Sequence, residues 1–402
     1  MAGQTVREFR RWFWRPPRAH GEVIHDRRVS YLELLYDLVY VAVIAQAATA
    51  LAADVSVARF LEFEVVFGLI WIGWVNGTLY LELHGREDGR TRSFVFVQMG
   101  ILAVLAVFTG QAAGDSGQAF ALTYVAFLAV LVWLWNSVRR QDAPDVARVT
   151  KAYAVGLLLS AGLMLASAFV PSGLRMGLWA AFVVLWIAAM IVLGFRSQSF
   201  SVGVTATHAM AERFGLFTII VLGEVVIGVV DGLSHAEHDL VTVGTGILAL
   251  GIGLGFWWIY FDIVGGRLPR TEGRATATWI LTHFPITLAI AAAGASMVSL
   301  IEHAHDPVAP DATVWLLAGS VAAVLVAQVV NAWALVDAQR FAVVYRPLAL
   351  AMIAAAAGVL AIGLVRPAGW VFALAVGVVM TALWFVAVGK FIRAGAWGDR
   401  LP

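Results

Sequence analysis

The chain has 402 residues, 61% of them hydrophobic and 13% charged, with a mean hydropathy of +0.84 and a formal net charge of +1. A soluble protein carries about 25% charged residues, and an apolar surface of this extent aggregates in water, so the composition excludes a water-soluble globular chain and selects lipid as the solvent. The near-neutral charge gives no pull toward nucleic acid, and the absence of cysteine excludes disulfides, thiolate metal sites and iron–sulfur clusters.

Residues 1–30 are basic. Arg10 and Arg11 beside Phe9 and Trp12 faintly resemble a twin-arginine export signal, but Arg15, Pro16, Pro17 and Arg18 stand where an apolar stretch is required. The segment reads as cytoplasmic, either lying on the anionic inner leaflet or forming a disordered tail. Twelve apolar runs follow, near 31–52, 61–83, 93–113, 118–138, 152–170, 176–195, 207–230, 240–264, 278–300, 312–336, 344–365 and 370–388. Each is long enough to cross a bilayer, and backbone polar groups in hydrocarbon must bond within their own segment, so each is expected to be a helix. The fold class is all-α, a polytopic membrane bundle of about twelve transmembrane helices.

Charge sets the expected orientation. With the N-terminus inside, the even-numbered turns hold Arg86, Arg90 and Arg92, then Arg139, Arg140, Arg148 and Lys151, then Arg196, then Arg267, Arg270 and Arg274, then Arg340 and Arg346. The C-terminal segment adds Lys390, Arg393 and Arg400. Only Arg59, Arg175 and Arg366 face the other side, so both termini are expected in the cytoplasm. Tyr80-Leu81-Glu82, Gly85 and Arg90-Thr91 match Tyr260-Phe261-Asp262, Gly265 and Arg270-Thr271 at a constant offset. That divides the chain into a basic segment 1–30, two parallel six-helix halves at 31–200 and 201–390, and a cytoplasmic tail 391–402. Convergent ends of two helices would give the same match.

Ionisable groups inside spanning helices cost about 2.5–3.5 kcal/mol each and are the first functional candidates. Ser30 and Glu33 fit a capping box at the start of the first run. Asp37 lies four residues after Glu33, on the same face, so these carboxylates need a proton or a cation between them. In the seventh run His208 and Glu212 are one turn apart. Arg213 and Glu224, eleven residues apart, fall within about 20° of one stripe. Glu33, Asp37, Glu212 and Arg213 are expected to form a buried charge network that Glu224 extends outward, serving either an ion path or helix packing. Asn76, Gln98, His283, Gln328 and Asn331 are weaker candidates for a polar cavity, with interhelical hydrogen bonds as the alternative. Pro285 marks a bend, Trp71 and Trp74 could bound an apolar ligand, and Gly251 and Gly255 suggest close packing. The His and carboxylates of the outer loops at 231–239 and 302–311 could bind a divalent metal but read as solvated, and no metal site or cofactor is expected. Neither a P-loop, an H-E-x-x-H helix nor a G-x-S-x-G elbow occurs.

Two stretches carry a resemblance. Glu33-Leu-Leu-Tyr-Asp37-Leu-Val-Tyr-Val-Ala-Val-Ile-Ala-Gln46 and Glu212-Arg-Phe-Gly-Leu-Phe-Thr-Ile-Ile-Val-Leu-Gly-Glu224 resemble the two signature segments of the bacterial low temperature requirement A family. Tyr36 and Tyr40 stand where that family usually has Phe. The resemblance implies a multi-pass protein of the bacterial inner membrane. It places Glu33, Asp37, Gln46, Glu212, Arg213 and Glu224 in the family's motifs without giving them a role, and it supplies no substrate.

The expected function is a secondary transporter or an ion or proton pathway, with membrane lipids and a small solute or ion as partners and no catalytic residue. Two alternatives stay open: a lipid-modifying intramembrane enzyme using His208 and Glu212 or a metal at the outer His/Asp loops, or a non-catalytic envelope protein needed for growth in the cold.

Overall fold

A computed structural model of the chain describes residues 8–9, 13–19, 22, 27–86, 88–138, 144–196 and 206–395. Arg7, Arg10, Arg11, Glu87, Arg139, Arg140 and Arg400 lie outside these residues. The described residues form thirteen helices: α1 Tyr31–Ala52, α2 Val57–His84, α3 Gly89–Thr109, α4 Gly117–Val138, α5 Pro144–Ser167, α6 Ser172–Arg196, α7 His208–His235, α8 Leu240–Ile263, α9 Gly273–Glu302, α10 Asp311–Ala334, α11 Val336–Arg340, α12 Ala342–Leu364 and α13 Gly369–Arg393. Eleven are long and apolar enough to cross a membrane. The run expected at 61–83 is α2, a helix of 28 residues that is not among the eleven and carries Glu62, Glu64, Asn76 and Glu82 along its length. The run expected at 312–336 ends as a helix at Ala334, and the short α11 follows it, because Leu335 is extended (φ −74°, ψ 150°) and pairs with Pro269 as an isolated β-bridge.

Polar side chains cap the starts of four of these helices. Ser30 Oγ accepts from the Glu33 amide at 3.3 Å, and Glu33 Oε2 accepts from the Ser30 amide at 2.9 Å, which completes the capping box. Asp88, Thr207 and Asp239 each accept a backbone N–H three residues on and cap α3, α7 and α8.

The chain divides into two compact units, Met1–Ala47 with Val65–Thr205, and Ala48–Glu64 with Ala206–Pro402. In the first, α4 packs on α3 and α5, and α5 on α6. Its most enclosed stretch lies in α2, where Phe67, Ile70, Trp71, Trp74 and Leu79 are almost fully buried. In the second, α9 packs on α7 and α10, α12 lies on α10 and α13, and α8 lies on α7 and α13. Its enclosed helix is α9, where 288–298 reads Leu-Ala-Ile-Ala-Ala-Ala-Gly-Ala-Ser-Met-Val and every residue is buried.

The Gly251–Gly255 packing pattern is corrected. A Cβ on Gly251 would meet nothing within 4 Å, whereas Gly253 abuts Val225 and Gly255 abuts Met380. The close backbone approach lies between α7 and α9. A Cβ on Gly228 would strike the Gly294 carbonyl, and one on Gly294 would come within 2.7 Å of the Glu224 carbonyl.

Candidate functional site

In the first unit the buried acids have partners. Asp37 is fully buried on α1, and its Oδ1 accepts from the Trp74 indole N–H at 2.9 Å. Trp74 is thus a polar partner for an acid as well as an apolar wall. Beside this pair the Tyr36 and Tyr40 hydroxyls are 3.2 Å apart, and Gly77 leaves the space the Tyr36 hydroxyl occupies. The Tyr124 hydroxyl donates to the Leu69 carbonyl at 2.7 Å.

Glu33 lies at the end of α1. Arg27 donates to its Oε1 at 2.6 Å and also pairs with Glu82. Arg27 and Arg18 together cap the C-terminus of α2, donating to the carbonyls of Leu81, Glu82 and Gly85. Orphan carbonyls and the negative end of the dipole make that terminus a natural seat for cations. Burial beside Arg27 lowers Arg18 to about 10. Asn76 and Gln98 are buried, the former donating to the Ile72 carbonyl at 2.8 Å. Gln46 is exposed on α1 near Gly110.

In the second unit His283 is caged by rings. Phe214, Trp279 and Tyr260 have ring centroids 4.8, 4.7 and 5.8 Å from it. His283 Nδ1 is 2.6 Å from the Trp279 carbonyl and Nε2 is 2.9 Å from the Tyr260 hydroxyl. A carbonyl can only accept, so Nδ1 carries the hydrogen and Nε2 accepts from Tyr260. Asn331 donates to Thr282 Oγ1 at 2.7 Å, joining α10 to this cluster. Three residues earlier, both amide atoms of Gln328 are buried without a hydrogen-bond partner among the described residues.

Arg213 is fully buried on α7, while His208 and Glu212 are exposed on its first turns. Further along the same helix Glu224 is only 3% exposed, and its Oε1 has no hydrogen-bond partner among the described residues. Glu224 sits where α7 meets Gly294 of α9.

A family model described as bacterial low temperature requirement A protein (LtrA) matches residues 28–387. The chain belongs to this family. It is also similar to an uncharacterized protein of Rhizobium meliloti (strain 1021), at 27% identity over 282 residues that take in 64% of this chain and 66% of that protein. The match therefore spans just under two thirds of the relative's length. No solved structure matches. Asp37, Arg213, Glu224 and His283 all fall inside the LtrA match.

Two features of this LtrA chain lie at the helix ends. Arg90 stacks on Trp133 at 5.2 Å and Arg270 on Trp333 at 4.8 Å. Arg90 and Arg270 are equivalent in the internal match, and each pairs with a tryptophan in the last turns of a later helix of its own unit. The loops at 231–239 and 302–311 meet through His305 Nε2 and Asp239 Oδ2 at 2.5 Å. The Thr242 backbone N–H, and then His305, hold the Asp239 carboxyl below its ordinary range. Among the described residues no group of three or more His, Asp or Glu is placed to share a metal ion.

Proposed function

We propose that this LtrA-family protein is a secondary transporter or an ion or proton pathway of the bacterial inner membrane, with both termini in the cytoplasm. Glu224 carries this reading. It is enclosed in a helix long and apolar enough to span, and one of its carboxylate oxygens lacks a hydrogen bond among the described residues. An ionised carboxylate shut away from water without a partner costs several kcal/mol, so Glu224 is a point where a proton or a small cation is taken up and released. The Tyr260–His283 pair and the unsatisfied amide of Gln328 support a polar route through the same unit, because such groups can exchange partners as an ion passes. The distribution of Lys and Arg supports the orientation.

The test is proton and cation flux in proteoliposomes holding the full chain, with both pH- and Na⁺/K⁺-sensitive dyes. Wild type is expected to carry flux, and Glu224→Gln to reduce it at least about tenfold while folding is retained, as expected for a group that binds the moving ion directly. Wild-type flux no greater than that of empty liposomes, or a Glu224→Gln variant as active as wild type, overturns the reading.

A further inference from the structure

We propose that the first unit holds the phosphate-bearing headgroup of an anionic phospholipid in a cleft between the N-terminal ends of α1 and α3. The cleft has a volume of about 1050 Å³, and Arg15, Arg27, Arg28, Arg86 and Arg92 line it. Two of these are committed: Arg27 lies between Glu33 and Glu82, and Arg86 pairs with Glu22 at 2.7 Å. Arg15, Arg28 and Arg92 are exposed, and their guanidiniums make no hydrogen bond or ion pair among the described residues. Three uncommitted guanidiniums around one cavity are more than enough for the two non-bridging oxygens of a lipid phosphodiester, which a guanidinium fork can bind bidentately.

Their backbones are held in place. The Pro16 carbonyl accepts from Arg86 Nε at 3.1 Å, and the Phe13 ring fills the space beside Gly89. Arg28 lies between the anchored Arg27 and the capping box at Ser30. Arg92 is in the first turn of α3, whose positive end adds to the field. A site built this way loses little freedom when a ligand arrives.

The other wall is apolar and selects lipid over a free anion. Leu32, Leu35, Val95 and Phe96 line the cleft. Leu35 is 43% exposed and Phe96 54%, and the exposed apolar surface continues along the same helices through Leu38 and Val97. Acyl chains can follow that surface while the headgroup stays among the arginines. Trp14, exposed and packed on Phe94, adds an aromatic anchor of the kind found at headgroup level. Basic pockets between helix ends at the cytoplasmic face recognise anionic headgroups for this reason. The inference does not depend on the transport reading.

The full chain, purified in neutral detergent, is titrated with phosphatidylglycerol, phosphatidylcholine or inorganic phosphate. Bound lipid is counted by native mass spectrometry, and the thermal midpoint is followed. Phosphatidylglycerol is expected to be retained in preference to phosphatidylcholine and to raise the midpoint. Arg28→Gln with Arg92→Gln is expected to weaken retention roughly tenfold or more, the scale of two removed surface charges. Arg346→Gln with Arg393→Gln, at exposed positions of the other unit, is expected to leave it unchanged. If the first double variant does not fold, Arg15→Gln provides the same comparison, with a several-fold loss expected. Equal retention of phosphatidylcholine, or unchanged retention in the folded cleft variants, overturns the proposal. Inorganic phosphate that binds alone with the same arginine dependence overturns the lipid assignment in favour of a soluble phosphate site.

Discussion

The two units enclose their central helices in opposite ways. In α2 the buried positions are filled by large rings, Phe67, Trp71 and Trp74, and the indole of Trp74 satisfies Asp37. In α9 they are filled by Ala291, Ala292, Ala293, Gly294 and Ala295. Backbone there approaches backbone, and Gly294 lies against Glu224. Tryptophan and tyrosine rings carry a polar atom and can pair with a buried acid. Small side chains allow tight helix contact but offer no donor. A buried acid is therefore a fixed structural partner in one unit and an uncommitted group in the other. The enclosed helices are also not the ones that the internal offset equates, since α2 corresponds to α8.

That contrast can be broken from either side. Arg27→Gln removes the cation between Glu33 and Glu82. Stripping one partner from a buried ion group costs about 3–5 kcal/mol, and the partial exposure of Arg27 brings the expectation to about 2–3 kcal/mol, read as a lower thermal midpoint in detergent. An unchanged midpoint would mean that charge pairing does not order the first unit. Gly228→Ala drives a methyl into the Gly294 backbone and is expected to cost about 1–3 kcal/mol. Gly251→Ala meets nothing within 4 Å and should stabilise by up to about 1 kcal/mol through helix propensity. Equal effects at the two glycines would remove close approach as the principle of the second unit. Trp74→Phe keeps an aromatic ring, smaller than the indole, but takes one donor from Asp37, at an expected cost of about 1–2 kcal/mol for the lost hydrogen bond, in contrast to Glu224→Gln, where little stability should be lost.

The smallest effect lies in the loops at 231–239 and 302–311. The Asp239 carboxyl is held low in the folded protein, so its contribution is present above the ordinary carboxylate pKa of about 4. That contribution is lost as the pH falls through the lower folded value. The thermal midpoint of wild type should fall more steeply below about pH 4 than that of Asp239→Asn, and parallel curves would remove Asp239 from the acid response.

The sequence carried some site features and hid others for identifiable reasons. The Ser30–Glu33 capping box and the enclosure of Asp37, Arg213 and Glu224 were legible, because capping acts over three residues and apolar neighbours mark a spanning helix. The partners of Glu33 were not. Arg27 looked like one more basic residue of the segment before α1, and Glu82 like one more residue at a helix end. The sequence places the Trp74 indole as an apolar wall, although a deeply placed indole also calls for an acceptor, which Asp37 supplies. The spacing of Gly228 and Gly232 on α7 carried the packing signal that was read instead at Gly251 and Gly255 on α8. Periodicity shows which residues share a face, not which helix that face meets.

The amino-acid sequence by itself determined that this protein lives in lipid, where its helices run and how several begin, because hydrophobicity, helix length and capping are local properties. Only the tertiary structure decided that Trp74 reaches Asp37, that Arg27 bridges Glu33 to Glu82, that Tyr260 meets His283 and that α7 touches α9 at Gly228 and Gly294. These contacts join residues far apart in the chain, and their geometry follows from how packed helices cross.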